Sequence, residues 1–248
     1  MEKLNQGWIA RTGRFLSSLF FLLLIALSIR SFLFEPFHIP SGSMKSTLLE
    51  GDYIFTSKYS YGYSKHSFPF SPNVFSGRIF YTPPKRGDII VFKPTRNDSI
   101  RFVKRVIGMP GDKVQVIKGE LYLNDKKVER KQIKSFFDYE SNHSIPRYIE
   151  TLPGERKHEI LIDNVSNKLS YNTPAYYVPD NQFFVMGDNR NNSFDSRFPE
   201  IGFVPVENII GRVSIVGLSF KLKKVDWLPF NFRVPVALRL NRILHSVT

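Results

Sequence analysis

The apolar positions of this chain change rhythm near residue 35. Before that point they form a block, in which residues 15–29 carry no charge, Arg30 interrupts, and the run resumes through Phe34. As a helix, residues 15–34 would span about 30 Å at about 1.5 Å per residue, the thickness of a bilayer core. Arg30, about a turn from the far end, is within snorkelling reach of headgroups. Residues 1–14 hold Lys3, Arg11 and Arg14 against Glu2, and this basic leader predicts an N-terminus on the cytoplasmic side with everything after Phe34 outside. A cleavable secretion signal is the alternative, since Ala26-Leu27-Ser28 is a small-x-small triplet, but cleavage there would cut inside the apolar run.

Beyond Glu35 the pattern becomes mostly short β runs divided by turns. Short runs at 53–56, 89–92, 100–107, 113–117, 121–123, 182–186 and 209–220 read as strands. Lys118-Gly119-Glu120 is the turn of a hairpin, and Met109-Pro110-Gly111-Asp112 is a second turn. Residues 62–81 form a Pro- and Ser-rich loop bearing Phe68, Phe70, Phe75 and Phe80, which either folds over the core or meets the membrane interface. Residues 124–180 are more polar and less regular. The expected fold is mainly β, an antiparallel-sheet core at 35–112 and 181–225, with an inserted β-rich subdomain at 113–180 and one N-terminal transmembrane helix. The tail, 226–248, alternates Arg with apolar residues and reads as a basic amphipathic segment, a docked helix or one lying on the membrane.

Composition removes several classes of function. With no cysteine, thiol catalysis, disulfides and Cys-ligated zinc are excluded. The five histidines are scattered, and His158-Glu159 lacks the second histidine a zinc-protease helix needs, so neither a metal nor another cofactor is expected. The net charge of +13 is spread along the chain without a recognition helix or an RNA-binding aromatic box, which argues against nucleic acid and for anionic headgroups or general solubility.

The stretch with chemical promise is Ile39-Pro40-Ser41-Gly42-Ser43-Met44, in which Ser43 lies nine residues past Phe34, the end of the apolar block. A serine hydroxyl becomes a nucleophile only when a neighbouring group takes its proton. His38 is one candidate base and Lys104 another. With period two, Ile100, Phe102, Lys104 and Val106 share a strand face on which Lys104 is the one charge, while Arg101, Val103, Arg105 and Ile107 share the other. Burial disfavours the ammonium and makes such a lysine a better base. An edge-strand lysine with its amine in water is the competing reading.

Five ordered blocks bear on this choice. They are residues 39–44, Leu48-Leu-Glu-Gly-Asp-Tyr-Ile54, Arg86-Gly-Asp-Ile-Ile-Val-Phe92, Phe102-Val-Lys-Arg-Val-Ile-Gly-Met-Pro-Gly-Asp112 and Gly187-Asp-Asn-Arg-Asn-Asn-Ser-Phe-Asp-Ser-Arg197. In this order they resemble the motif series of bacterial type I signal peptidases. The resemblance implies a membrane-anchored serine endopeptidase that removes signal peptides from exported preproteins, sited on the outer, periplasmic side of the inner membrane. It implies Ser43 as nucleophile, Lys104 as general base and Ser41 as an oxyanion-hole hydroxyl beside the Ser43 N–H. It further implies Ser193 orienting the Lys104 amine, Asp195 and Arg197 bracing that loop, and Ile39, Pro40, Met44, Leu48, Phe102 and Val103 lining the substrate groove. Two positions depart from the family pattern, Ser46 where proline is usual and Asn191 where aspartate is usual. Two other readings remain open at this point: a self-cleaving Ser-Lys repressor-type protease, and a noncatalytic membrane-anchored β domain that binds peptides.

Overall fold

The computed structural model describes residues 2–96, 100–139, 141–163, 171–224 and 233–247, with side chains from Arg11 onward. Positions 164–170 of the expected insertion, and 226–232 and Thr248 of the expected tail, lie outside the described residues.

Helix α1 (Glu2–Ser28) passes into one wider turn, Ile29–Leu33. Within them Arg11–Leu33, 23 residues, is long and apolar enough to cross a membrane. The span ends a residue earlier than expected because Phe34 already opens strand β1 (Phe34–His38). Arg30 does not simply reach outward, since its guanidinium meets Glu35 at 3.1 Å, and that buried carboxylate also binds Lys58 at 2.7 Å. Glu35 thereby ties the end of the helix to the β core.

The remaining strands are β2 (Asp52–Ser57), β3 (Ile89–Phe92), β4 (Phe102–Gly108), β5 (Lys113–Ile117), β6 (Glu120–Leu123), β7 (Lys126–Lys127), β8 (Glu129–Asp138), β9 (His143–Leu152), β10 (Arg156–Leu161) and β11 (Tyr176–Tyr177). After them come β12 (Gln182–Met186), β13 (Val204–Pro205), β14 (Ile209–Lys224), β15 (Arg233–Leu238) and β16 (His245–Ser246). The main sheet runs β1-β2-β14-β3-β4-β12-β13, with β15 and β16 also on β14, and its pairings are antiparallel. Register shifts in β14 at Val213/Ile215 and Val216/Leu218 let one long strand bend and serve several neighbours. Ile39, Met44, Leu48, Ile54, Val91 and Val216 form the apolar cluster beneath the Ser43 turn. The strand expected at 100–107 begins at Phe102, leaving Ile100 exposed outside it.

The expected hairpin is present. Lys118 and Gly119 have φ of 51° and 74°, both left-handed, as a two-residue turn matched to strand twist requires. The region read as less regular instead contains the three-stranded sheet β10-β9-β8, with strands of up to ten residues. Most β8 side chains are at least partly exposed, so polar residues occupy both faces and the alternation that marks a half-buried strand is missing. The described part of the tail is strand and a short turn rather than helix, with β15 paired on β14.

The aromatic loop docks on the end of the apolar helix. Tyr63 Oη donates to the Phe32 carbonyl at 3.0 Å, and the Phe32 ring lies 5.7 Å from Tyr63 and 5.6 Å from Phe68. Phe70 and Phe80 project outward, fully or nearly fully exposed.

Candidate active site

Three segments remote in sequence converge on one cleft of about 810 Å³. The first is the chain leaving β1. Ile39 N–H donates to the Asp52 carbonyl and Gly51 N–H to the Ile39 carbonyl, holding this segment along β2 until the short helical turn Gly42–Met44 lifts Ser43 into the cleft. The second is β4, whose Lys104 faces Ile90 of β3. The third is the loop after β12, carrying Ser193, Asp195 and Arg197.

Ser43 Oγ and Lys104 Nζ lie 2.6 Å apart, although 61 residues separate them. Lys104 is 3% exposed, and burial lowers its pKa from 10.5 to about 8, the nearby Asp195 and Asp188 carboxylates holding back part of that fall. The shift corresponds to about 3 kcal/mol of preference for the neutral amine. A lysine poised this way accepts a hydroxyl proton near neutral pH, which an ordinary one does rarely.

Ser41, Ile39, Pro40, Met44, Phe102 and Val103 all line the cleft, as does His38, whose ring rests against Tyr53. Leu48 does not. The turn after Met44, closed by Leu48 N–H to the Met44 carbonyl at 2.8 Å, points its side chain inward, where it is fully buried under Ile39 and Met44. Leu48 supports the groove from below instead of touching what lies in it.

Ser193 reaches the same cleft, but its hydroxyl donates to Asp195 Oδ2 at 2.7 Å, and no bond joins it to the Lys104 amine. A buried carboxylate is the stronger acceptor and outcompetes a neutral amine for that proton. Asp195 is held in turn by Arg197 Nε and Nη2, each at 2.8 Å, and by Gly187 N–H at 2.9 Å. Arg197 also donates to the Arg190 carbonyl at 2.7 Å, closing the loop on itself. Gly187 has no alternative at its place, since a Cβ there would sit 2.2 Å from Ser193 Oγ and 2.5 Å from the Ser43 carbonyl oxygen.

The two departures from the family pattern are local. Ser46 has φ of 85°, a conformation closed to proline, and donates to the Glu159 carbonyl at 3.2 Å. Asn191 Oδ1 accepts from Asp163 N–H at the cleft margin.

Sequence reasoning missed what lies behind the cleft. Arg105, assigned to the second face of β4, is as buried as Lys104 and pairs with Asp188, Nε to Oδ1 at 2.8 Å and Nη2 to Oδ2 at 2.7 Å. Asp188 also accepts from Thr47 Oγ1 at 2.6 Å; burial alone would raise its carboxyl, but Arg105, His158 and the Thr47 hydroxyl together hold it below its usual range. Nearby, Arg190 grips Glu150 through both amino groups; burial alone would raise the Glu150 pKa, but Arg190 and His158 pull it to about 2. Opposite charges flanking two motif residues, Arg105 beside Lys104 and Asp188 beside Gly187, were the available signal. Phe194, Phe198 and Arg101 also line the cleft and were not anticipated.

Comparison with known proteins gives the following matches. The family described as signal peptidase, peptidase S26, matches residues 12–218. A signal peptidase I of Rickettsia typhi (strain ATCC VR-144 / Wilmington) is 46% identical over 214 residues, 83% of this chain and 80% of that protein. A signal peptidase I of Rickettsia akari (strain Hartford) is 43% identical over 236 residues, 92% of this chain and 86% of that protein. The crystal structure of a signal peptidase I from Enterococcus faecalis V583 aligns at 26% identity with a TM-score of 0.33, covering 54% of this chain and 98% of that one.

Proposed function

The chain belongs to the signal peptidase family, peptidase S26, and from that membership we propose that Ser43 is its nucleophile and Lys104 its general base. It is a serine endopeptidase that removes signal peptides from preproteins, and membership sets aside the repressor-type and noncatalytic readings.

The reading of the site rests on one observation, the 2.6 Å approach of Ser43 Oγ to a buried Lys104 amine whose pKa is lowered to about 8. A preprotein lies extended in the groove between the Ile39–Pro40 segment and the Phe102–Val103 strand, bringing its scissile carbonyl over Ser43. The neutral Lys104 amine takes the Ser43 proton as Oγ attacks that carbonyl. The Ser41 hydroxyl and the Ser43 N–H stabilise the oxyanion. The Lys104 ammonium then protonates the leaving amine, and the mature protein departs. Water attacks the acyl-enzyme, giving its proton to the regenerated amine, and the serine ester breaks to release the signal peptide with Ser43 restored. Ser193 acts through Asp195, fixing the wall beside the amine.

The catalytic β core lies on the outer side of a bacterial inner membrane, with the N-terminus cytoplasmic. The basic flank of the apolar helix supports that orientation, and the ion pairs of Glu35 with Arg30 and Lys58 keep the core close to the membrane exit. The test is cleavage of a preprotein bearing an Ala-x-Ala site by the full-length protein and by Ser43→Ala and Lys104→Ala variants. Loss of cleavage in both, with folding retained, is expected; undiminished cleavage by Lys104→Ala overturns the dyad.

A further inference from the structure

Among the residues behind the cleft, Asn189 bears most directly on the nucleophile. It is buried, 3% exposed, and it grips the Ser43 turn twice: its backbone N–H donates to the Ser43 carbonyl at 3.0 Å and its side-chain Nδ2 to the Gly42 carbonyl at 3.0 Å. The Gly42 carbonyl also accepts from Lys45 N–H at 3.0 Å.

The second contact has a geometric consequence. In a planar trans peptide the C=O and N–H point in opposite directions. Fixing the Gly42 carbonyl toward Asn189 therefore fixes the Ser43 N–H away from it. Asn189 lies behind the turn and does not line the cleft, so the side opposite to it is the open one. That is where an oxyanion forms when Ser43 attacks.

Asn189 is itself held by the inserted sheet. Leu161, the last residue of β10, donates to the Asp188 carbonyl and accepts from Arg190 N–H, both at 2.9 Å, bracketing Asn189. Asp188 is meanwhile fixed by Arg105 and Thr47. This gives the insertion a task that its distance from Lys104 conceals.

We propose that Asn189 is a positioning residue which, held by β10, sets the direction of the Ser43 N–H and so assembles the oxyanion site. The inference rests on Ser43 being the nucleophile. Asn189 touches no substrate and no reacting atom; it acts through the Gly42–Ser43 peptide. Removing it lets that peptide swing, a misplacement that commonly costs about a hundredfold when it disorients catalytic groups.

The experiment compares full-length Asn189→Ala and Asn189→Asp with the unaltered enzyme, in detergent, on one preprotein substrate, following kcat, KM, the pH profile and Tm. The expected result is a fall in kcat of about ten- to a hundredfold for alanine. A deeper fall is expected for aspartate, which matches asparagine in shape but replaces the donor with an acceptor facing a carbonyl. For the alanine variant KM stays within about twofold and the acid limb of the pH profile does not move, because Lys104 keeps its surroundings, whereas the added carboxylate of the aspartate variant moves that limb to higher pH. A purely structural role reverses the order, with aspartate the milder change and loss of activity tracking loss of Tm; that outcome overturns the proposal, as does kcat within about threefold in both variants. Ser43→Ala in the same assay separates the two readings, since cleavage retained there defeats the nucleophile assignment itself.

Discussion

Arg105 and Asp188 face each other as a two-pronged ion pair, with both side chains about 1% exposed, one residue along from Lys104 and from Gly187 respectively. The pair joins β4 to the loop that bounds the cleft, so the base and the nucleophile's support share one rigid link. Removing one member leaves a buried charge without its partner, which costs about 3–5 kcal/mol. Arg105→Ala should lower Tm by well over 5 °C in thermal denaturation; Arg105→Lys should also lose stability, because an ammonium cannot reproduce the two parallel bonds.

Activity should rise with pH. As the proposed base, Lys104 would work as the neutral amine, and with a pKa of about 8 only about one molecule in ten is in that form at pH 7. The rate at saturating substrate should climb roughly tenfold per unit below pH 7 and level off above about 9. The same shift affects folding. Between about 8 and 10.5 the folded amine binds fewer protons than the unfolded one, so stability attributable to Lys104 increases with pH across that window. A pH–rate profile without a limb near 8 would contradict Lys104 as the base.

Leu48 separates support from contact. Its side chain is wholly within the cluster under the cleft, so Leu48→Ala should cost about 2–5 kcal/mol through the cavity it leaves. Preference among substrate side chains should be unaltered in the protein that remains folded. A changed preference with unchanged Tm would return Leu48 to the groove.

Ser46 tests the departure from the family pattern. Since its φ is 85° and proline is locked at about −65°, Ser46→Pro should destabilise the protein despite restoring the residue usual in the family. Urea denaturation of the variant and the parent measures the difference.

The aromatic loop can be read with a single introduced thiol, because the chain has no cysteine. Phe70 is fully exposed on a loop held to Phe32 at the helix end. A polarity-sensitive fluorophore on Phe70→Cys should emit to the blue in vesicles relative to detergent-free buffer controls at an exposed polar site such as Asn124→Cys. Equal, water-like emission at both sites would show that the loop stays out of the bilayer.

Much of the architecture depends on near neighbours and was legible along the chain. The apolar block, the left-handed Lys118-Gly119 turn and the runs at 89–92, 113–117 and 182–186 all follow from local apolar pattern and turn chemistry, whereas alternation along β4 did not show that both of its faces are buried, Arg105 as deeply as Lys104. Local pattern was least informative where solvent reaches both faces, as in β8 and β9, whose ten-residue strands carry no clear alternation. Whether Ser43 meets Lys104, whether Ser193 turns to Asp195, whether Leu48 goes under the groove and whether Asn189 grips Gly42 were decided only in three dimensions. Each depends on β4, β12 and the chain after β1 being brought side by side through β2, β14 and β3. Hydrophobic burial and strand pairing act across the whole sheet, and a residue's immediate sequence says which way it faces but not what it faces.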